Sequence, residues 1–212
     1  MCGIGGIIHK TSTAQDLAPV GENLVKMLEA MRHRGMDSSG VTIAGVSSEQ
    51  DLIIRIWANP DGNYNERFMN VEEIVSNNGG VTKSKHSVNE YLRLGISFSG
   101  TISDLAEAII SLDGIELHSI GENSEVVKDV GSGIGLDQKH SVSSMKGTHG
   151  IGHVRMATES RVDISHAGQQ QQTLLPDVFG YPDKQQLSLS FGAVFLATLS
   201  LDNYLTPNRV QL

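Results

Sequence analysis

The only cysteine of this 212-residue chain is its second residue, and a short apolar stretch follows it at once: Met1-Cys2-Gly3-Ile4-Gly5-Gly6-Ile7-Ile8. Gly3 to His9 reads as a buried strand, so the fold must hold the very start of the chain in a sheet rather than on a loose tail. Its glycines let other groups approach the backbone closely. A small residue after the initiator methionine favours removal of Met1. Cys2 would then carry both a thiol and a free α-amino group. An amine with a reference pKa of about 8 is partly neutral at pH 7 and can take the thiol proton directly or through one water. A lone cysteine is more often a small buried hydrophobe than a catalyst, so Cys2 gains chemical meaning only from the segments that accompany it.

Bulk properties narrow the classes. The length suits one domain. One cysteine excludes an internal disulfide framework and a multi-cysteine metal site. The formal charge is −8 and no Lys/Arg cluster occurs, which argues against nucleic acid as a partner. The N-terminus lacks the basic-then-apolar order of a signal peptide. The longest charge-free apolar run, Leu187 to Leu201, is too short and too rich in Ser and Gly to span a membrane. A cytoplasmic protein is expected.

Along the chain, Leu24, Met27, Leu28 and Met31 recur at helical spacing and predict a helix over Val20 to Arg32, with Gly35 as its stop. Gly40–Val46 and Asp51–Trp57 read as a pair of strands joined by a polar turn. A turn follows at Asn59 to Asn63. A short helix is expected over Val71–Asn78, a strand over Tyr91–Ser99, and a helix over Asp104–Leu112 capped by Ser103 and ended by Gly114. Ile115–Ile120 and Ser124–Asp129 read as another strand pair. Gly131-Ser132-Gly133-Ile134-Gly135 lacks the Lys-Ser/Thr of a phosphate-binding loop and reads as a plain turn. Thr148 to Thr158 holds two internal glycines and is expected to be extended. His149 and His153 are taken to share a face only in a helix, and without an acidic or cysteine third ligand no metal site is expected.

Three segments carry the chemistry: Cys2-Gly3-Ile4, then His33-Arg34-Gly35-Met36-Asp37-Ser38-Ser39-Gly40, then Gly152-His153-Val154-Arg155-Met156-Ala157-Thr158. In this order they resemble the class II glutamine amidotransferases, a branch of the N-terminal-nucleophile hydrolases, over roughly residues 2 to 166. Thr148-His149-Gly150 before the third segment, and Glu159-Ser160 after it, look most like the stand-alone amidotransferase subunits related to glutamate synthase. The resemblance implies an α+β fold, a four-layer αββα sandwich, incomplete at its C-terminus. It implies glutamine as substrate, no cofactor, and delivery of ammonia to a synthase partner of the glutamate-synthase type. Cys2 would be the nucleophile. Arg155 would pair with the substrate carboxylate through its planar fork, Thr158 would donate a hydroxyl to the same head group, and Met156 would line the pocket. Arg34, Gly35 and Asp37 would form a supporting loop beside the nucleophile, with His33 in a structural role.

The family also carries a His-Asn-Gly segment whose Asn side chain and Gly N–H stabilise the oxyanion, and this chain has no Asn-Gly after Arg155. From Ala167 onward the texture changes, with Gln169 to Gln172 followed by a Leu/Ser/Phe-rich stretch. The expected division is therefore an amidotransferase domain over 2–166 and an atypical tail over 167–212. Two readings follow: an active glutaminase subunit, or a catalytically impaired glutamine-binding or regulatory one.

Overall fold

A computed structural model of the chain describes residues 2–10, 17–45 and 52–156. Along these the elements are β1 (Gly3–Ile8), α1 (Val20–Ala30), a 3-10 turn (Arg32–Arg34), β2 (Ser38–Ala44), β3 (Leu52–Ala58), α2 (Tyr64–Asn77), β4 (Val81–Val88) and β5 (Tyr91–Ser97). They continue with α3 (Ile102–Ile110), β6 (Ile115–Gly121), β7 (Ser124–Val130), α4 (Gly133–His140), a second 3-10 turn (Val142–Ser144) and β8 (His149–Arg155). The strands form two four-stranded sheets, ordered β1-β8-β2-β7 and β4-β5-β3-β6. Every strand pair in both is antiparallel. The chain is α+β.

Each sheet has its own helices and its own apolar core. In the second sheet, alternation sends Ile54 and Ile56 of β3 and Leu92, Leu94 and Ile96 of β5 to one face. There they meet Phe68, Val71 and Val75 of α2 and Leu105 and Ile109 of α3. In the first sheet, Leu24 and Leu28 of α1 and Leu136 of α4 cover Val41 and Ile43 of β2, Val127 of β7 and Val154 of β8. Burying each such side chain stabilises the fold by roughly 1.5–3 kcal/mol before entropy is counted. Between the sheets run polar links. Arg55 of β3 and Arg93 of β5 both bond Glu125 of β7, and the Tyr91 hydroxyl donates to Asp129 at 2.8 Å.

Several expectations need correcting. The two anticipated strand pairs are not pairs: β2 lies in the first sheet and β3 in the second, and β6 and β7 are divided in the same way. A short polar link serves a crossing between sheets as well as a hairpin, so local pattern cannot tell them apart. β4 escaped detection because Val81-Thr82-Lys83-Ser84-Lys85-His86-Ser87-Val88 is almost wholly polar and exposed. It is an edge strand, where lysines are common because they discourage further pairing. α2 begins seven residues before Val71, and α3 begins at Ile102 with Thr101 before it, so Ser103 lies inside the first turn rather than capping it. The anticipated Gly131–Gly135 turn opens α4 instead: Ser132 accepts a hydrogen bond from the Gly135 N–H, an ordinary N-cap.

Candidate active site

The three motif segments, far apart in sequence, meet at one end of the first sheet. β8 lies between β1 and β2, pairing Gly3 with Val154 on one side and Ser38 with Arg155 on the other. Continued by one residue, the β1–β8 register sets Cys2 opposite Arg155. The glycine contacts fix the faces. A Cβ on Gly3 or Gly5 would meet Met31 or Met27 of the α1 segment, one on Gly150 would meet Leu24 and Val20 of α1, and one on Gly152 would meet Leu28 and Leu24. Alternation therefore assigns Cys2 and Arg155 to the same opposite face, on adjacent strands.

The second segment closes around this junction. Gly35 lies so near β8 that an added Cβ would fall 2.2 Å from the Arg155 carbonyl carbon, so only glycine fits without backbone movement. The Asp37 N–H donates to the Arg155 carbonyl at 3.1 Å. Arg34 runs alongside β1, with its Cδ 3.2 Å from where a Gly3 Cβ would be. Helix α1 ends in the 3-10 turn Arg32–Arg34, which turns the chain through Gly35 into β2.

Individual side chains differ in exposure. Cys2 is a free, exposed thiol. Arg155 is 7% exposed and Met156 is 42% exposed. Arg34 and His33 are exposed, and Asp37 is half-buried. Thr158 and the anticipated tail lie outside the described residues. Burial, reinforced by the Arg155 charge, pushes the His153 imidazole below its usual value, so it is neutral at pH 7.

The sequence reading missed a brace behind the loop. The Gly131 N–H donates to the Asp37 carbonyl at 2.8 Å, and the Ser39 hydroxyl donates to the Gly131 carbonyl at 2.9 Å. Gly131 has φ +99°, a conformation that favours glycine. Its place in Gly131-Ser132-Gly133 marked a turn, but nothing in the sequence said which segment the turn would hold.

His149 and His153 are both on β8 and, being four apart, share a face of the strand, which was expected only of a helix. Four residues of strand separate them by about 13 Å, too far for one metal ion to be shared. Among the described residues no group of three or more His, Cys, Asp or Glu is placed to hold a metal. No helix among them is long and apolar enough to cross a membrane.

No protein-family model matches the chain. It is 31% identical over 183 residues to a protein of Methanothermobacter thermautotrophicus named "Putative glutamine amidotransferase", a match spanning 84% of this chain and 59% of that protein. It is also 31% identical over 164 residues to "Glutamine amidotransferase-like protein GlxB" of Rhizobium meliloti, spanning 76% of this chain and 52% of the relative. These similarities support a place among the glutamine amidotransferases. The chain spans little more than half the length of either relative.

Proposed function

We propose that this chain is the glutaminase part of a class II glutamine amidotransferase, an N-terminal-nucleophile hydrolase with a four-layer αββα sandwich over residues 2–166. The observation that carries the reading is the convergence of Cys2, the Arg34–Asp37 loop and Arg155 at one end of one sheet. Cys2 directly precedes β1, and a register continued by one residue from Gly3–Val154 would set it opposite Arg155 at a backbone spacing of about 5 Å, suited to one small amino acid held at both ends. Arg155 holds the α-carboxylate through two parallel hydrogen bonds. Met156 would line the pocket, and Thr158 would donate its hydroxyl to the same head group.

In the proposed reaction Met1 has been removed. The α-amine of Cys2 takes the thiol proton, and the thiolate attacks the side-chain carbonyl carbon of glutamine. The resulting ammonium returns a proton to the leaving nitrogen, the C–N bond breaks, and ammonia departs to leave a γ-glutamyl thioester. The amine then accepts a proton from water, hydroxide adds to the thioester, and the C–S bond breaks to release glutamate and restore the thiol. Gly35 and Asp37 hold the end of β8, and so Arg155, against the nucleophile strand. The ammonia passes to a synthase partner of the glutamate-synthase type in the cytoplasm.

The test is glutamate release from glutamine by the purified chain, with mass spectrometry of the intact protein. Loss of Met1, labelling of Cys2 by a glutamine analogue with an electrophilic side chain, and a fall of at least about 10³-fold in Cys2→Ala are expected. Glutamate release that survives Cys2→Ala overturns the assignment. A second reading, glutamine binding with impaired turnover, is favoured by the absence of Asn-Gly after Arg155. Loss of an oxyanion donor lowers turnover by about 10²–10³. Calorimetric glutamine binding without glutamate release would favour that reading.

A further inference from the structure

A cavity of about 500 Å³ opens between the face of β3, β4 and β5 that carries Arg55 and Arg93 and the segment His140–Lys146. None of Cys2, Arg34, Gly35, Asp37, Arg155 and Met156 lines it. Its charge is lopsided. Arg55, Arg93 and Lys146 line it against one carboxylate, Glu125, in a chain whose formal charge is −8. Of the other acids nearby, Glu116 pairs with Lys128 and Glu90 with Lys139, while Asp129 pairs with Lys139 and with Tyr91 and His140 of the cavity wall.

Glu125 holds the two arginines in a fixed fork. Its Oε2 accepts from Arg55 Nε at 2.6 Å and from Arg93 Nε at 2.9 Å, and its Oε1 accepts from Arg93 Nη2 at 2.8 Å. Burial pushes the Arg55 guanidinium down, and the neighbouring Arg93 adds to this, while Glu125 opposes it. Two cations on one buried carboxylate leave a surplus charge that a bound anion would offset. Leu17, Val88 and Met145 supply apolar wall. A volume of this size suits a small organic molecule rather than a lone ion.

We propose that this cavity is a second ligand site, for a small organic anion whose carboxylate or phosphate head sits among Arg55, Arg93 and Lys146 while its apolar body packs against Leu17, Val88 and Met145. The proposal does not depend on the amide chemistry at Cys2.

Titration calorimetry at constant ionic strength on the full chain carrying Cys2→Ala tests it without interference from turnover. The probes are benzoate and phenyl phosphate. At least one is expected to bind saturably at one site per chain, with the affinity lowered about tenfold by Arg93→Gln and by Lys146→Gln, as expected for one lost charge-assisted contact. Tighter binding of phenyl phosphate assigns a phosphate head, and tighter binding of benzoate a carboxylate. Lys146 is exposed, so its substitution leaves folding intact and decides the matter if Arg93→Gln does not fold. Failure of both probes to saturate, or a bound probe indifferent to the folded variants, overturns the proposal. Neither result bears on whether glutamine is hydrolysed.

Discussion

The two sheets solve the same packing problem with opposite materials. The β4-β5-β3-β6 sheet is filled by branched aliphatic side chains, with Ile54, Ile56, Leu92, Leu94 and Ile96 nearly inaccessible under α2 and α3. In the β1-β8-β2-β7 sheet, β1 and β8 carry glycine at helix-facing positions where the other sheet carries leucine and isoleucine. Gly150 and Gly152 of β8 lie beneath Leu24 and Leu28 of α1, and Gly3 and Gly5 of β1 lie beneath Met31 and Met27. Removing side chains from the sheet lets the helix approach the backbone. That close approach is what draws the end of α1, its 3-10 turn and Gly35 against β8. The aliphatic sheet is built for stability. The glycine sheet is built for proximity, and the proposed site sits on it.

The largest effect on stability is expected where the sheets are joined. Glu125→Gln leaves two half-buried guanidinium groups without their buried carboxylate and should cost about 3 kcal/mol or more at pH 7 by urea unfolding. Burial pushes the Glu125 carboxyl up, but the bonds and charges of Arg93 and Arg55 outweigh it and hold it below the usual range. Its stabilisation is therefore full above the unfolded value of about 4.3 and lost as pH falls through the lower folded value. The acid limb of stability should flatten in Glu125→Gln. An unchanged limb would mean the sheets are not coupled through this carboxylate.

Leu94→Ala, in the aliphatic sheet, should cost about 2–5 kcal/mol through lost burial and the cavity left behind. Gly150→Ala sharpens the contrast from the other side. Its Cβ would stand 2.7 Å from the Thr42 carbonyl oxygen and 2.9 Å from Leu24 Cδ1, so adding one methyl should cost about 1–3 kcal/mol. If denaturant unfolding shows Gly150→Ala to be neutral or stabilising, close approach is not what the glycine sheet is for. The smallest effect belongs to the exposed pair Lys26–Glu22 on α1, where Lys26→Ala should shift stability by no more than about 0.5 kcal/mol.

What could be read in advance followed from local periodicity. The helix at Val20 was visible in Leu24 and Leu28, and β5 in its alternating leucines, because each pattern is written within a few residues. β4 was hidden because an exposed edge strand needs no apolar face to exist. Cys2, Arg34, Gly35, Asp37 and Arg155 were each recognisable in their segments. The Ser39–Gly131 brace was not, because both residues are common in turns and their contact spans 92 positions.

The amino-acid order alone determined that the chain mixes strands and helices, that its lone thiol stands at the head of a strand, and that three chemically suggestive segments exist. Only the folded molecule decided that β8 runs between β1 and β2, that neighbouring strands in sequence part company into different sheets, and that Glu125 holds two arginines beside a cavity. The reason is physical. A strand or helix is set by the side chains of a few consecutive residues, whereas the choice of a strand's neighbour depends on which faces, from anywhere in the chain, can be buried together.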